Sequence, residues 1–145
     1  MDEGRVVQGR AAFRVFTRRS VPVLFDTTQL ALQGVISGAV RRQDALAANL
    51  ANAETPGYQR VDVDFHSTLA AALTQGSGAD TALQTASFAP ARDTTAGAVQ
   101  ADGNTVDPDS ESAKMAENAL EQQAAVQVAQ ARIHILQSAM GVGQA

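Results

Sequence analysis

Two stretches of this chain carry residues at alternating spacings of four and three, and that pattern limits the fold more than anything else in the sequence. Leu32, Ile36, Ala39, Gln43, Leu46, Leu50 and Ala53 form the first series. Met115, Ala119, Gln122, Val126, Ala129, Ile133, Leu136 and Met140 form the second. Such spacing keeps every member on one side of a helix, as in a coiled-coil seam. The helices would be roughly 28 and 33 residues long, or about 42 and 50 Å at 1.5 Å per residue. Packing the seams together is the simplest way to bury both. The expected fold is therefore mainly α, with two long terminal helices packed as an antiparallel coiled-coil-like hairpin. Gln43 and Gln122, the strongly polar members of the seams, would then lie within about one turn of each other and hydrogen-bond.

Local signals divide the chain at 1–23, 24–55, 56–106, 107–140 and 141–145. The first segment is a basic arm holding Arg5, Arg10, Arg14, Arg18 and Arg19. In the second, Asp26 is a good N-cap, Gln29 completes a capping box, and Phe25 with Leu30 makes a hydrophobic staple. Pro56 disfavours helical geometry at Thr55 and Gly57 frees a turn, so this helix should stop near Glu54. The third segment is irregular. Val61, Val63 and Phe65 alternate with charged residues as in a short β-strand or hairpin arm, and Leu69 to Leu73 adds a turn of helix. Beyond Gln75, the Gly, Ser, Thr and Ala content predicts a flexible or partner-ordered loop. Asp107 and Pro108 then open the last helix as cap and first residue, with Asp109 and Glu111 favoured by its dipole. Gly141 and Gly143 end it.

Both seams are rich in alanine, which buries little area. Gly34 and Gly38 each cost the first helix about 1 kcal/mol relative to alanine, while letting another helix approach closely. The hairpin is expected to be marginal alone, with the N-terminal helix least protected in the monomer. A net charge of −4 and a pI near 5.0 weigh against nucleic acid as a partner. With no cysteines, disulfides and thiolate metal sites are excluded. No stretch approaches the roughly 18 apolar residues of a membrane span, and no apolar run after the arginines suits a cleaved signal peptide.

The stretch from Arg42 to Tyr58, with Asn49, Asn52 and then Thr55-Pro56-Gly57-Tyr58, resembles the N-terminal signature of the flagellar rod and hook axial protein family. Asp62-Val63-Asp64-Phe65 followed by Leu69 is similar to its continuation in proximal-rod members. The run Asp102-Gly103-Asn104-Thr105-Val106-Asp107, then Met115-Ala116-Glu117-Asn118-Ala119-Leu120, resembles the second signature of the same branch. The likeness covers roughly residues 24–140. It departs from the family at Gln122, where a tyrosine is frequent, and in the length of the arm. Translation is therefore expected to begin at Val15 or Val21.

The resemblance implies a structural subunit of the basal-body rod. Such a subunit polymerises with itself and other rod proteins, near the membrane ring, into the driveshaft that carries torque from motor to hook. It also implies passage through the flagellar type III export apparatus and residence in the periplasmic part of the basal body, without a cleaved signal. Asn49, Asn52, Thr55, Pro56, Gly57, Tyr58, Asp102, Gly103, Asn104, Val106, Asp107, Met115, Glu117 and Asn118 would be its assembly residues. A soluble helical adaptor or export chaperone is the alternative, and it should stay in the cytosol.

Asn49 and Asn52 lie three apart on one helix face, where their amides could cap local carbonyls or reach an adjacent subunit. Tyr58 could anchor an interface or pack over the helix end. His66 and His134 have no further ligands at metal-binding spacing. Asp102 and Asn104 resemble the start of a calcium loop, but Asp107 and Ala113 stand where glycine and glutamate are required. Asp62 and Asp64 read as a solvated strand face, with no pocket-forming sequence to make them an acid–base pair. No nucleophile or phosphate-loop motif occurs, so neither catalysis, nor a metal, nor a cofactor is expected.

Overall fold

The computed structural model describes residues 26–94 and 99–141. The basic arm, the starts at Val15 or Val21, the Phe25 half of the staple and the tail beyond Gly141 lie outside them.

Helix α1 spans Thr27–Ala51, and the Asp26 carboxylate accepts the Gln29 N–H at 3.0 Å. It ends before Glu54 because the Asn52 side chain turns back to donate to the Ala48 carbonyl at 2.8 Å. A turn follows, closed by the Tyr58 N–H on the Thr55 carbonyl at 3.2 Å, with Gly57 at φ +71°. Strand β1 is only Val61–Asp62. The alternation that predicts a longer strand is cut short by Asp64, whose carboxylate accepts the Ser67 N–H and caps helix α2, Phe65–Leu73. A 3-10 turn at Gly76–Gly78 leads into helix α3, Ala79–Gln84. Strand β2, Ala91–Arg92, pairs antiparallel with β1, Val61 opposite Arg92 and Asp62 opposite Ala91. Helix α4 spans Pro108–Ala139, with Asp107 as its cap and Gly141 at φ +71° just past its end.

The middle of the chain is more ordered than its composition predicts. Phe65, Leu69, Ala72 and Leu83 join Leu30, Ala39, Ala45 and Val63 in one apolar core. Few side chains are needed because α1 is flattened where they meet it. A Cβ at Gly34 would come within 2.5 Å of Leu69 Cδ2, and one at Gly38 would overlap the Phe65 ring. The glycines thus seat α2 directly on the α1 backbone.

The long helices α1 and α4 pack together, and three contacts trace their seam. Arg132 pairs with Asp26. Asn118 Nδ2 donates to the Ala39 carbonyl and to Gln43 Oε1, both at 2.9 Å. Asn49 meets Glu111. The partner of Gln43 is therefore Asn118, one turn before the expected Gln122.

On α1, Ala39 and Leu46 are fully buried, Leu32, Ile36 and Gln43 half-buried, and Leu50 is exposed. On α4 the buried line is Glu111, Asn118 and Ala125, flanked by half-buried Met115, Gln122, Val126, Ala129 and Leu136. Ala119, Ile133 and Met140, which the spacing assigns to the seam, face solvent. Three of the eight expected α4 seam positions thus lie off the buried line. The physical reason is that its centre is set by two buried polar residues, which a search for apolar periodicity passes over.

Candidate functional site

At the end of α1 the two signature stretches, some fifty residues apart, fold into one polar knot. Its centre is Asn49, whose side chain is fully buried. Both amide hydrogens are used: Nδ2 donates to the Val61 carbonyl and to Glu111 Oε2, each at 2.7 Å. Its oxygen accepts the Val61 N–H at 3.0 Å and, more weakly, the Tyr58 hydroxyl at 3.5 Å. That exhausts the hydrogen-bonding capacity of an asparagine. Asn49 thus faces neither its own helix end nor solvent; it ties α1 to β1 and α4.

Around it, Arg60 is buried and bound on three sides. Its guanidinium donates to Glu111 Oε1 at 2.5 Å, to Asp62 Oδ2 at 2.9 Å, and to Asp93. Arg42 from α1 completes Asp62 at 3.2 Å, and Lys114 reaches Glu111 at 3.3 Å. Three cations face three carboxylates, so the cluster is neutral. Burial alone would lower the pKa of Arg60 and raise those of Glu111 and Asp62. Hydrogen bonds and charge across the cluster outweigh it, leaving Arg60 above its ordinary value and both carboxyls below theirs. Asp62 is therefore part of an ion network, and Asp64 a helix cap, where the sequence suggests a solvated face.

The second layer of the knot is Asn104, also fully buried. Its Nδ2 lies within 3.0 Å of the carbonyls of Asn52, Ala53 and Thr55, in the turn where α1 ends. Its oxygen accepts the Val106 N–H at 2.7 Å. Gly57 donates to the Asp102 carbonyl, and Thr105 to that of Tyr58. Gln59 Nε2 bonds the carbonyl of Gly103, which sits at φ +85°. Backbone from one signature thus completes the backbone of the other.

Of the sequence-nominated residues, Asn49, Asn52, Thr55, Gly57, Tyr58, Asp102, Gly103, Asn104, Val106 and Asp107 gather here, with exposed Pro56 at the turn. Asn118 lies farther along α4 in the helix seam, Met115 is half-buried between the two places, and Glu117 is exposed. Arg60, Glu111 and Asp93 also belong to the knot, a role that the sequence alone does not give them. Arg60 passes for the polar member of a strand alternation, and Glu111 for a carboxylate placed to suit a helix dipole. Among the described residues no group of three histidine, cysteine or acidic side chains is arranged to hold a metal, and none of the helices is long and apolar enough to cross a membrane. Among the described residues no buried side-chain polar atom of the knot lacks a partner, so the arrangement fastens chain segments together.

The pattern of a family described as flagella basal body rod protein matches residues 37–59, the second half of α1 and the turn that follows. The chain is 37% identical over 105 residues to the flagellar basal body rod protein FlgB of Salmonella typhimurium, covering 63% of this chain and 76% of that protein. It is 33% identical over 126 residues to the protein of the same name from Yersinia enterocolitica, covering 77% and 91%. The corresponding Escherichia coli (strain K12) protein is 35% identical over 105 residues, 63% of this chain and 76% of that one.

Proposed function

Because the chain belongs to the FlgB family of flagellar basal body rod proteins, a family of structural rod subunits, we propose that it polymerises with other rod proteins in the proximal part of the driveshaft that turns the hook. The observation that carries this reading is the knot itself. The stretch matched by the rod family, 37–59, is held to the start of α4 by Asn49, Asn104 and Glu111.

In this reading the chain works as a rigid body. α1 and α4 form an antiparallel coiled-coil-like hairpin, supported by the succession of pairs Asp26–Arg132, Gln43–Asn118 and Asn49–Glu111. The knot fixes its register, so that load on one helix reaches the other through buried bonds. The segments 24–55 and 107–140 are the rod helices, and 56–106 is the part that faces outward or contacts neighbours. The chain reaches the periplasmic rod through the flagellar type III apparatus, without a cleaved signal.

Mass spectrometry of hook–basal bodies purified from the native organism tests the proposal. Peptides of this chain are expected in the purified structures. Their absence there, with the protein abundant in cytosol, would move the chain to the adaptor or chaperone reading.

A further inference from the structure

Helix α4 carries a second stripe, turned away from α1. Glu117, Leu120, Ala124, Val128, Ala131 and Ile135 follow at spacings of three and four, and all are exposed. Leu120, Val128 and Ile135 keep 68%, 55% and 69% of their surface open to solvent. Apolar side chains in such a row mark a contact surface.

On the opposite side of the molecule, α1 presents a groove of about 610 Å³. Leu30, Gln33, Gly34 and Ser37 of α1 line it together with Leu83 and Phe88. Arg41 stands at one end. Counted around α1 at 100° per residue, these helix positions fall roughly opposite Ala39, the residue that touches α4.

We propose that the outer stripe of α4 from one copy seats in the α1 groove of the next, so that α1 is held between its own α4 and a neighbour's. This rests on the rod-subunit reading and narrows it to one contact between two copies of this chain. Charge fixes the direction. Arg41 and Glu117 are both exposed, and neither has an ion-pair or hydrogen-bond partner among the described residues. From Arg41 to Leu30, and from Glu117 to Val128, the helices run the same eleven residues, roughly 16 Å. Pairing Arg41 with Glu117 sets the incoming helix antiparallel to α1 and brings Ala124 to the level of Gly34 and Gln33. Since groove and stripe are different surfaces, every bound copy still offers one of each. Such a heterologous contact propagates where a self-complementary one would stop at a dimer.

The chain has no cysteine, which makes cross-linking a clean test. Full-length Gln33→Cys and Ala124→Cys chains are mixed under oxidising conditions while association is followed by sedimentation. Disulfide-linked dimers are expected in the mixture, with at least fivefold less linkage in either variant alone. Arg41→Glu or Glu117→Arg should each weaken association about three- to tenfold, and combining them in one chain should restore it. Copies that associate without the mixed cross-link, or Gln33→Cys chains that link to one another, overturn the contact while leaving the rod reading in place. A chain present in basal bodies yet monomeric at high concentration also overturns it, because the groove is then filled by a different rod protein. Absence from basal bodies is the separate result that removes the rod reading itself.

Discussion

Asn49 and Glu111, 62 residues apart in the chain, meet through a 2.7 Å hydrogen bond with both side chains fully buried. Neither can be changed without leaving the other's polar atoms sealed from water. Asn49→Ala removes the donor to Glu111 and both bonds to Val61, and should cost about 2–4 kcal/mol, since each stranded buried group costs about 1–3. Asn49→Asp should cost more, because it sets a second carboxylate against Glu111. Urea denaturation followed by circular dichroism measures both. A loss below about 0.5 kcal/mol for the alanine variant, the level of an ordinary surface change, would mean the knot holds nothing.

The ion pair at the centre should behave as a unit. Arg60→Met leaves the Glu111 carboxylate buried with the Lys114 ammonium as its remaining cation, and should cost about 3–5 kcal/mol. Glu111→Leu strands Arg60 less completely, because Asp62 and Asp93 remain. The double variant should lose less than the sum of the two, with a coupling of at least about 1 kcal/mol. Strict additivity in the four-way cycle is the result that contradicts this account.

Much of this was legible in the sequence and the rest was hidden for identifiable reasons. Asp26 and Asp107 announce their helices because a capping carboxylate acts on its own neighbours, two or three residues away. The turn at Pro56-Gly57 is local in the same way. The seam on α4 was only half legible because leucine, valine and isoleucine lie on more than one of its faces. Glu111 and Asn118, which decide the face, do so through partners 62 and 75 positions away. The knot was least visible of all. Its bonds join residues such as Asn104 and Asn52 across about fifty positions, and only the resemblance of the two signatures hinted that they belong together.

Acid should loosen the protein, and the sign follows from the carboxyls. Glu111 and Asp62 both have pKa values below their ordinary 4.5 and 3.8 in the folded chain. A group depressed on folding contributes stability that is complete above its unfolded value and is lost as pH falls through the folded one. Urea midpoints should therefore show no contribution from these groups to any change between pH 7 and about pH 5.5, and a decline below about pH 4.5. Glu111→Gln should begin less stable and decline less steeply. An equally steep acid limb in that variant would place the titrating groups elsewhere.

Two glycines of α1 should respond oppositely to what helix propensity predicts. Alanine favours a helix interior over glycine by about 1 kcal/mol, but at Gly38 its Cβ would overlap the Phe65 ring and Cβ. Phe65 is fully buried, so it has no room to retreat, and Gly38→Ala should be net destabilising by about 1–3 kcal/mol. At Gly34 the obstacle is the end of the Leu69 side chain, which can turn, so Gly34→Ala should cost less. Thermal unfolding of the two variants orders them. Stabilisation by Gly38→Ala would show that α2 does not rest on the α1 backbone.

Hydrogen exchange of the dilute chain should place the most protected amides in α1 and the least protected at the far end of α4. The seam's weakness alone predicts the reverse, an N-terminal helix that is loose until neighbours arrive. In the folded chain α1 is the central element, touching α4, α2, α3 and β1, and its residues Gly34, Gly38, Ala39, Ala45, Leu46 and Asn49 are all buried. Beyond Arg132, the last residue tied to α1 by an ion pair, α4 keeps Ile133, Ile135 and Met140 largely exposed. Amides there open with few contacts to break, and protection follows the contacts that must be lost. The expected pattern is slow exchange over 34–46 and near-free exchange from 134 onward in the monomer. If the α4 stripe is covered by the α1 groove of another copy, residues 120–135 should slow by at least tenfold there, and residues 30–41, which line the groove, should slow with them. Fast exchange throughout α1 in the monomer would contradict the packing, and would restore the view that this helix is ordered by its neighbours.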